Sequence, residues 1–518
     1  MIDRWTKFRR GVRSYLKLRG IDRYLILERV SRKENSIAHL MGLLTFYLSL
    51  SMLLPLFVAI WYQEDVRPWI FPILLTLIIG TCLLIRYRPH ERIRPTEAMF
   101  VIGCGWLYVM AIGAIPYLGY GMGMIDALFE SMSGFTTTGS SIIIDLNAWP
   151  LSLLFWRSFT QWLGGAGIIL IFVSIFPMLG VGGRNLARGE LSGGFEVHNF
   201  TLRIKDEIKK FHVIFMALSA ILVLLLLLTG IGLYDSLVVM FSTISTGGFS
   251  PHPESIAHYN NAILEWIVII FMILGSTSFY LHYQVVKKRQ IRQYLANSEF
   301  VYYLAIILAA STIVLLSVFN TDLSNLESNI RTSMFQVVSL MSSTGFASVD
   351  FSLWNDAMAF LLLALIIVGG CSGSTAGGLK IGRFKITLGF IHSCLYKAVH
   401  PRAIFMIKLD GRPLKEDTVT SMVAVLICYV ATALIGAAFL ILLGIEPDVS
   451  LSAVITTLSN CGPALGALGP MGTFGGLPDA AKIILTLTMW IGRLEFISVL
   501  VILTPVFWKD LFRYQEKN

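Results

Sequence analysis

Phe135-Thr136-Thr137-Thr138-Gly139-Ser140-Ser141 is the stretch on which the fold turns. Its run of polar and small residues does not suit a lipid-facing helix, yet it closes a short semi-apolar stretch that begins near Ile125. A helix of roughly ten residues is too short to cross about 30 Å of hydrocarbon. The same order recurs three times downstream. Semi-apolar stretches from Ser236 to Ser245, Arg331 to Ser342 and Ser450 to Ser459 run into Thr246-Gly247-Gly248-Phe249, Ser343-Thr344-Gly345-Phe346 and Asn460-Cys461-Gly462-Pro463. The aligned glycines lie 109, 97 and 117 residues apart, and Asp126 and Asp235 each precede their glycine by 13. Each gap holds two apolar spans and a loop. An order kept four times is a repeat architecture, and the short stretches read as re-entrant helices that enter and leave on one face.

Working outward, the whole chain has the composition of a polytopic membrane protein. Of its 518 residues 55% are hydrophobic and 14% charged, with a mean hydropathy of +0.71; soluble domains carry nearer a quarter charged residues. Long apolar runs such as Ile37 to Trp61, Val213 to Leu233, Val301 to Phe319 and Met422 to Leu443 fit membrane-crossing helices. The N-terminus is basic for some thirty residues before any apolar run, so no signal peptide is expected. The net charge of +9 raises nucleic acid as a partner, but its placement argues against one. Along the expected topology 36 of the 41 Lys and Arg fall on one side, which puts both termini in the cytoplasm. Far-side loops lean acidic, with Glu64, Asp65, Glu254, Asp350 and Asp448 among them.

The expected class is an all-α integral membrane protein with four pseudo-repeats of helix, pore loop and helix around one ion pore, preceded by two extra transmembrane helices. Its parts are a basic cytoplasmic segment 1–34, a helix pair 35–94, and repeats 95–198, 199–297, 298–415 and 416–518. Ten full spans and four re-entrant loops follow. The six Cys lie mostly in apolar runs without paired spacing, and no HExxH or similar His cluster occurs, so disulfides, zinc and bound cofactors are not expected. A membrane enzyme would need a catalytic constellation, and none is legible.

The turns themselves point to cation chemistry. Close helix packing explains glycine pairs within helices, such as Gly164-Gly165. It does not explain a polar cluster placed four times after a short helix. Non-helical backbone at membrane depth is tolerated where it lines water or is buried in protein, and carbonyl rings can replace a cation's hydration shell. Glycine gives access to positive φ and keeps the axis open. Helix C-terminal ends aimed at the centre also favour a cation. None of these features separates K+ from Na+.

At this point the chain resembles the TrkH branch of the Trk/Ktr/HKT superfamily of potassium transporters, over nearly its whole length after the basic N-terminus. The resemblance rests on Ser133 to Gly139, Phe155-Trp156-Arg157-Ser158, Gln161 to Gly165, Ser245 to Phe249, Ser343 to Phe346, Gly369 to Lys380, Asn460 to Pro463 and Trp490 to Arg493. It implies inward K+ transport across the cell (inner) membrane, with K+ as cargo. Filter residues would be Thr137, Thr138 and Gly139, then Thr246, Gly247 and Gly248, then Ser343, Thr344 and Gly345, then Asn460, Cys461 and Gly462. In the family a glycine at the first of these turns goes with K+ and serine with Na+. The resemblance also implies a homodimer with one pore per subunit, and a TrkA/KtrA-type nucleotide-binding regulatory subunit on the basic inner face. Cys461 departs from the more usual hydroxyl residue, and Ala464 from glycine.

Two further features bear on gating. Gly369 to Gly378 interrupts an apolar run with five Gly, two Ser, one Thr, one Cys and one Ala. The phosphate-loop alternative fails because Leu379 follows Gly378 where Lys is needed, and Ile381 stands where Ser or Thr is needed. Its members Gly370, Cys371, Ser372, Gly373, Ser374, Thr375, Ala376, Gly377 and Gly378 resemble the family's intramembrane gate loop; a simple helix kink is the alternative. Arg493, about eleven residues into the last span and so roughly 16 Å deep, needs a partner or a wet cavity. The resemblance makes it a gating residue on the loop. A purely structural arginine binding loop carbonyls is the other reading. Glu495, two residues on, faces elsewhere, and Arg157 is expected to pin a pore helix. A coupled symporter on the same scaffold would need a titratable group near the turns, and Glu130 is the candidate.

Overall fold

The computed structural model describes residues 33–90, 94–174, 197–318, 325–402, 406–409, 412–414 and 416–515. The basic N-terminal segment through residue 32 and residues 175–196 lie outside them. Among the described residues six helices are long and apolar enough to cross a membrane: Ser36–Trp61, Arg67–Arg86, Thr96–Gly119, Lys209–Leu228, Ser298–Val318 and Glu416–Leu442. A seventh run, Ala262–Gly275 with Phe279–Lys288, bends by 96° at its break. The other expected crossings fall on Leu151–Ser174 and on two interrupted runs. One is Asp356–Val368 followed by Ile381–Val399, and the other Asp479–Arg493 followed by Ile497–Leu503. Their breaks carry residues at positive φ, namely Gly369, Gly373, Gly378 and Lys380 in the first and Glu495 and Phe496 in the second. Helical φ cannot continue through such residues, so the helix stops.

Burial is inverted relative to a soluble protein. Phe57, Ile78, Leu224, Leu308 and Leu434 are exposed on the long helices, while Thr136, Thr138, Ser242, Thr246, Thr344, Thr456 and Asn460 are buried. Apolar side chains outside and hydroxyls inside are what a bilayer as solvent selects. The protein is an integral membrane protein.

Four short buried helices stand where the semi-apolar stretches predict them: Met124–Phe135, Leu233–Ile244, Leu326–Met341 and Pro447–Leu458. The third begins five residues earlier than Arg331. Each has an acidic residue in its first turn (Asp126, Asp235, Glu327, Asp448), which complements the positive end of the helix dipole. Glycines let the following helices press on their C-terminal ends. A Cβ on Gly164 would collide with the Phe135 carbonyl oxygen, and one on Gly492 with that of Leu458. On Gly275 it would lie 2.9 Å from the Ile244 carbonyl oxygen. The equivalence of Phe135, Ile244 and Leu458, each the last residue of its helix, is independent support for the repeat register.

Candidate functional site

Each short helix ends in the same hydrogen-bonded turn. Thr137, Thr246, Ser343 and Asn460 sit at φ 55°, 54°, 57° and 50°. Their amides donate three residues back, and the next residue's amide donates five back: Thr138 to Ser133, Gly247 to Ser242, Thr344 to Ser339 and Cys461 to Thr456, at 2.8–2.9 Å. This is a Schellman cap, whose left-handed position is ordinarily glycine. Holding Thr or Ser there costs about 1–3 kcal/mol per turn. The sequence reading expects positive φ at the glycines, and Gly139, Gly248 and Gly345 have it, at 86°, 82° and 81°. Gly462 does not. The left-handed residue two places earlier was not legible, because in turns one and two it is threonine, a β-branched residue that propensity disfavours there.

The four turns close on one another in sequence order. A Cβ on Gly139 would collide with the Gly247 carbonyl oxygen, and one on Gly248 with that of Thr344. On Gly345 it would meet Pro463 Cδ at 2.8 Å and Gly462 N at 3.0 Å, and on Gly462 the Gly139 carbonyl oxygen at 2.9 Å. First touches second, second third, third fourth, and fourth first. Side chains stitch the closure between ends of the chain. The Ser140 hydroxyl donates to the Gly462 carbonyl (2.9 Å), and Asn460 Nδ2 donates to Thr138 Oγ1 (3.1 Å) and to the Met489 carbonyl (3.0 Å).

Two of the ring's carbonyls are held from behind, Gly462 by Ser140 and Gly247 by Gln161 (2.8 Å). The carbonyls of Thr137, Thr138, Gly139, Thr246, Gly248, Ser343, Thr344, Gly345, Asn460 and Cys461 receive no hydrogen bond from the described residues. Gly139, Gly248 and Gly345 are half-buried and the other seven residues are buried, and buried carbonyls without a donor are rare and costly. Above the ring opens a cavity of about 120 Å³, floored by Gly139, Gly248, Gly345 and Gly462 and walled by Ser141, Phe249, His252 and the loop from Leu468 to Phe474.

Behind the first turn, Arg157 and Glu130 form a buried pair at 2.6 Å. Glu130 also accepts from Ser141 Oγ (3.1 Å) and the Ile142 amide (3.0 Å). Arg157 donates to Ser141 (3.0 Å) and lies over the Phe249 ring at 4.2 Å. Its bond to Glu130 ties it to the first short helix, as expected, and its contacts with Ser141 and Phe249 also tie it to the segments after turns one and two. In the third repeat Gln336 occupies Glu130's position, nine residues before the glycine, and donates to the Val349 carbonyl at 3.2 Å.

Beneath the ring runs the Gly369 to Gly378 loop. Thr375 donates to the carbonyls of Gly275 (3.0 Å) and Ile244 (3.1 Å) and accepts from Thr246 (3.3 Å). The Gly377 amide donates to Ser343 Oγ (2.7 Å), and the Gly378 amide to the Ser459 carbonyl (3.0 Å). Gly370 and Cys371 lie against Ser276, whose carbonyl accepts from the Cys371 amide at 2.9 Å. The Gly373 carbonyl accepts from Phe279, while Ser374 and Ala376 bond within the loop. Ser372 and Gly382 amides both donate to Glu299, at 2.6 and 3.0 Å. Arg493 is the fifteenth and last residue of its helix rather than a mid-helix residue. Its Nη1 donates to the Thr375 carbonyl at 3.0 Å, and its Nε and Nη2 find no acceptor among the described residues. Glu495 turns away, as its offset predicts, to Lys380 (2.9 Å) and Arg383.

The structure thus brings together every residue singled out at the turns and in the loop. Sequence reasoning did not assign roles to Gln161, Ser140, Glu299 or the Lys380–Arg383–Glu495 cluster. All are long-range partners, and single Gln or Glu residues near apolar runs carry no spacing signal of their own.

A polytopic membrane protein with a closed ring of backbone carbonyls and a loop pressed beneath it belongs to the class of cation-handling membrane proteins. The family model for "TrkH: Cation transport protein" matches residues 72–509, and the chain belongs to that family. It is similar to the Trk system potassium uptake protein TrkH of Salmonella typhimurium, at 31% identity over 92% of this chain and 99% of that one. Similarity to TrkH of Halomonas elongata is 32% over 91% and 99%, and to TrkG of Escherichia coli 29% over 92% and 98%. The crystal structure of the potassium transporter TrkH from Vibrio parahaemolyticus matches with a TM-score of 0.83 at 30% identity, covering 91% of this chain and 99% of that one. A transport protein, not an enzyme, is what the sequence led us to expect.

Proposed function

We propose that the chain takes up K+ by channel-like passage through the ring of turns, which acts as its selectivity filter. The observation that carries this reading is the set of turn carbonyls, on buried or half-buried residues, that receive no hydrogen bond from the described residues. A dehydrated monovalent cation supplies the missing partner, and four short-helix C-termini lend it negative potential. Backbone oxygens fixed by Schellman caps do not collapse onto a smaller ion without breaking those caps. The names of the relatives, all potassium uptake proteins, support K+ as cargo.

The ring binds through Thr137, Thr138, Gly139, Thr246, Gly247, Gly248, Ser343, Thr344, Gly345, Asn460, Cys461 and Gly462. Loop residues 370–378 and Arg493 form the gate, because they lie directly under turns two, three and four. We further infer cytoplasmic termini from the basic asymmetry. A homodimer and a TrkA/KtrA-type nucleotide-binding subunit on the inner face follow from the family resemblance. Proton-coupled symport is disfavoured by one observation: Glu130, the candidate coupling group, is already engaged by Arg157, Ser141 and Ile142.

The test is Rb+ uptake into proteoliposomes under an outward K+ gradient, with Na+ and Li+ as competitors. Uptake competed by K+ and not by Na+ is the expected result. Equal competition by all three would refute the filter assignment.

A further inference from the structure

We infer that Gln161 is a specificity-determining residue, because it replaces from a neighbouring helix the side chain that the second turn lacks. This rests on the proposed reading of the ring as an ion filter.

The second position of each turn is occupied by Thr138, Gly247, Thr344 and Cys461. In turns one and three the threonine hydroxyl is shared with the residue two places earlier, Thr136 at 2.7 Å and Ser342 at 2.7 Å. These bonds tie the strained left-handed residue between them to the helix end. Turn two has glycine at this place and no such bond. Gly247 is not there for its backbone freedom, since it does not have positive φ. Space decides it. A Cβ on Gly247 would lie 2.8 Å from Gln161 Nε2 and closer still to the amide carbon and oxygen.

Gln161 is fully buried and uses both ends of its amide on this turn. Nε2 donates to the Gly247 carbonyl at 2.8 Å, and Oε1 accepts from the Phe249 amide at 3.2 Å. The two bonds straddle Gly248, whose carbonyl is among those without a donor. Gln161 therefore sets the orientation of the peptide planes on either side of that glycine. Three residues before the packing glycines Gly164, Gly275 and Gly492 stand Gln161, Met272 and Met489. Of these three only Gln161 is polar, and it faces the turn that has glycine at its second position. The two departures are complementary.

The pairing makes a double-variant test. Gln161→Met alone leaves the Gly247 carbonyl and Phe249 amide unheld, and is expected to lower K+-over-Na+ preference about tenfold, the worth of one buried hydrogen bond of ordinary strength. Gly247→Thr alone overlaps Gln161 and is expected to lose preference and uptake together. Gln161→Met with Gly247→Thr rebuilds the turn in the form of turns one and three, and is expected to recover preference to within about threefold of the parent, a small residue of that loss. Rb+ and Na+ uptake would be measured on the full chain in proteoliposomes, with Gln161→Leu as a second single variant and size-exclusion profiles to confirm folding. Single variants as selective as the parent, or a double variant no better than Gln161→Met, would overturn the inference. A parent chain without K+ preference would instead overturn the reading of the ring.

Discussion

At the scale of single residues, the ring is a set of backbone contacts that tolerate no side chain, and the four glycines are not equivalent. Gly139, Gly248 and Gly345 combine positive φ with a neighbouring turn at contact, whereas Gly462 has ordinary φ and the looser 2.9 Å approach to Gly139. Gly248→Ala faces a backbone carbonyl that can move only by widening the ring. It is expected to abolish K+ preference and cost about 1–3 kcal/mol of stability. Gly462→Ala, crowded against the Gly139 backbone but without positive φ, is expected to lose less preference and less stability than Gly248→Ala. Thermal melting and Rb+ uptake on the two variants check the order, and the reverse order would contradict the geometry. Gly139→Ser belongs to the same argument: its Cβ meets the Gly247 carbonyl, so the first and second turns separate and Na+ gains over K+. Ion ratios unchanged in liposomes would remove Gly139 from the filter. The triplets themselves were legible from four aligned glycines. Their strained neighbours were not, since a left-handed threonine is imposed by tertiary closure against its local preference.

At the scale of elements, the second helices of the second, third and fourth repeats are broken, and the breaks in the third and fourth are tied together. Lys380, at the end of the loop, and Arg383 both reach Glu495, in the break after Arg493. Arg493 in turn holds the Thr375 carbonyl under the ring. The glycine-rich composition of 369–378 made the first break legible, and the depth of Arg493 marked the second as needing a partner. Loop carbonyls were already among the partners the sequence offered, and the fold adds which one it is, that of Thr375. Removing the guanidinium takes away both the positive charge below the ring and the loop's anchor. Arg493→Ala is therefore expected to raise basal K+ flux several-fold, and deletion of residues 373–377 to raise it further without any regulatory subunit. Flux measured on purified chain in liposomes decides it: a loss confined to expression level would assign Arg493 a structural role, and basal flux after the deletion would mean the loop is not the gate.

At the scale of the whole molecule, hydropathy and basic asymmetry were enough to read an inside-out all-α protein. They overstated its regularity, because among the described residues the second helices of repeats two, three and four are interrupted, the last two at residues with positive φ. The same scale decides between free passage and coupling. A proton-coupled transporter must expose a titratable group to the ion path and change its protonation during the cycle. Glu130 is fully buried, bonded to Arg157 at 2.6 Å and to the backbone of Ile142, so protonating it would leave Arg157 as an unpaired buried charge. Breaking such a pair costs about 3–5 kcal/mol, too much for a step repeated in every transport cycle without a compensating partner. Uptake of Rb+ at fixed K+ gradient is therefore expected to be the same with and without an imposed proton gradient. Glu130→Gln is expected to lower thermal stability while leaving that indifference intact. Rb+ accumulation driven by a proton gradient alone, and lost in Glu130→Gln, would establish coupling and make Arg157 the group that senses it.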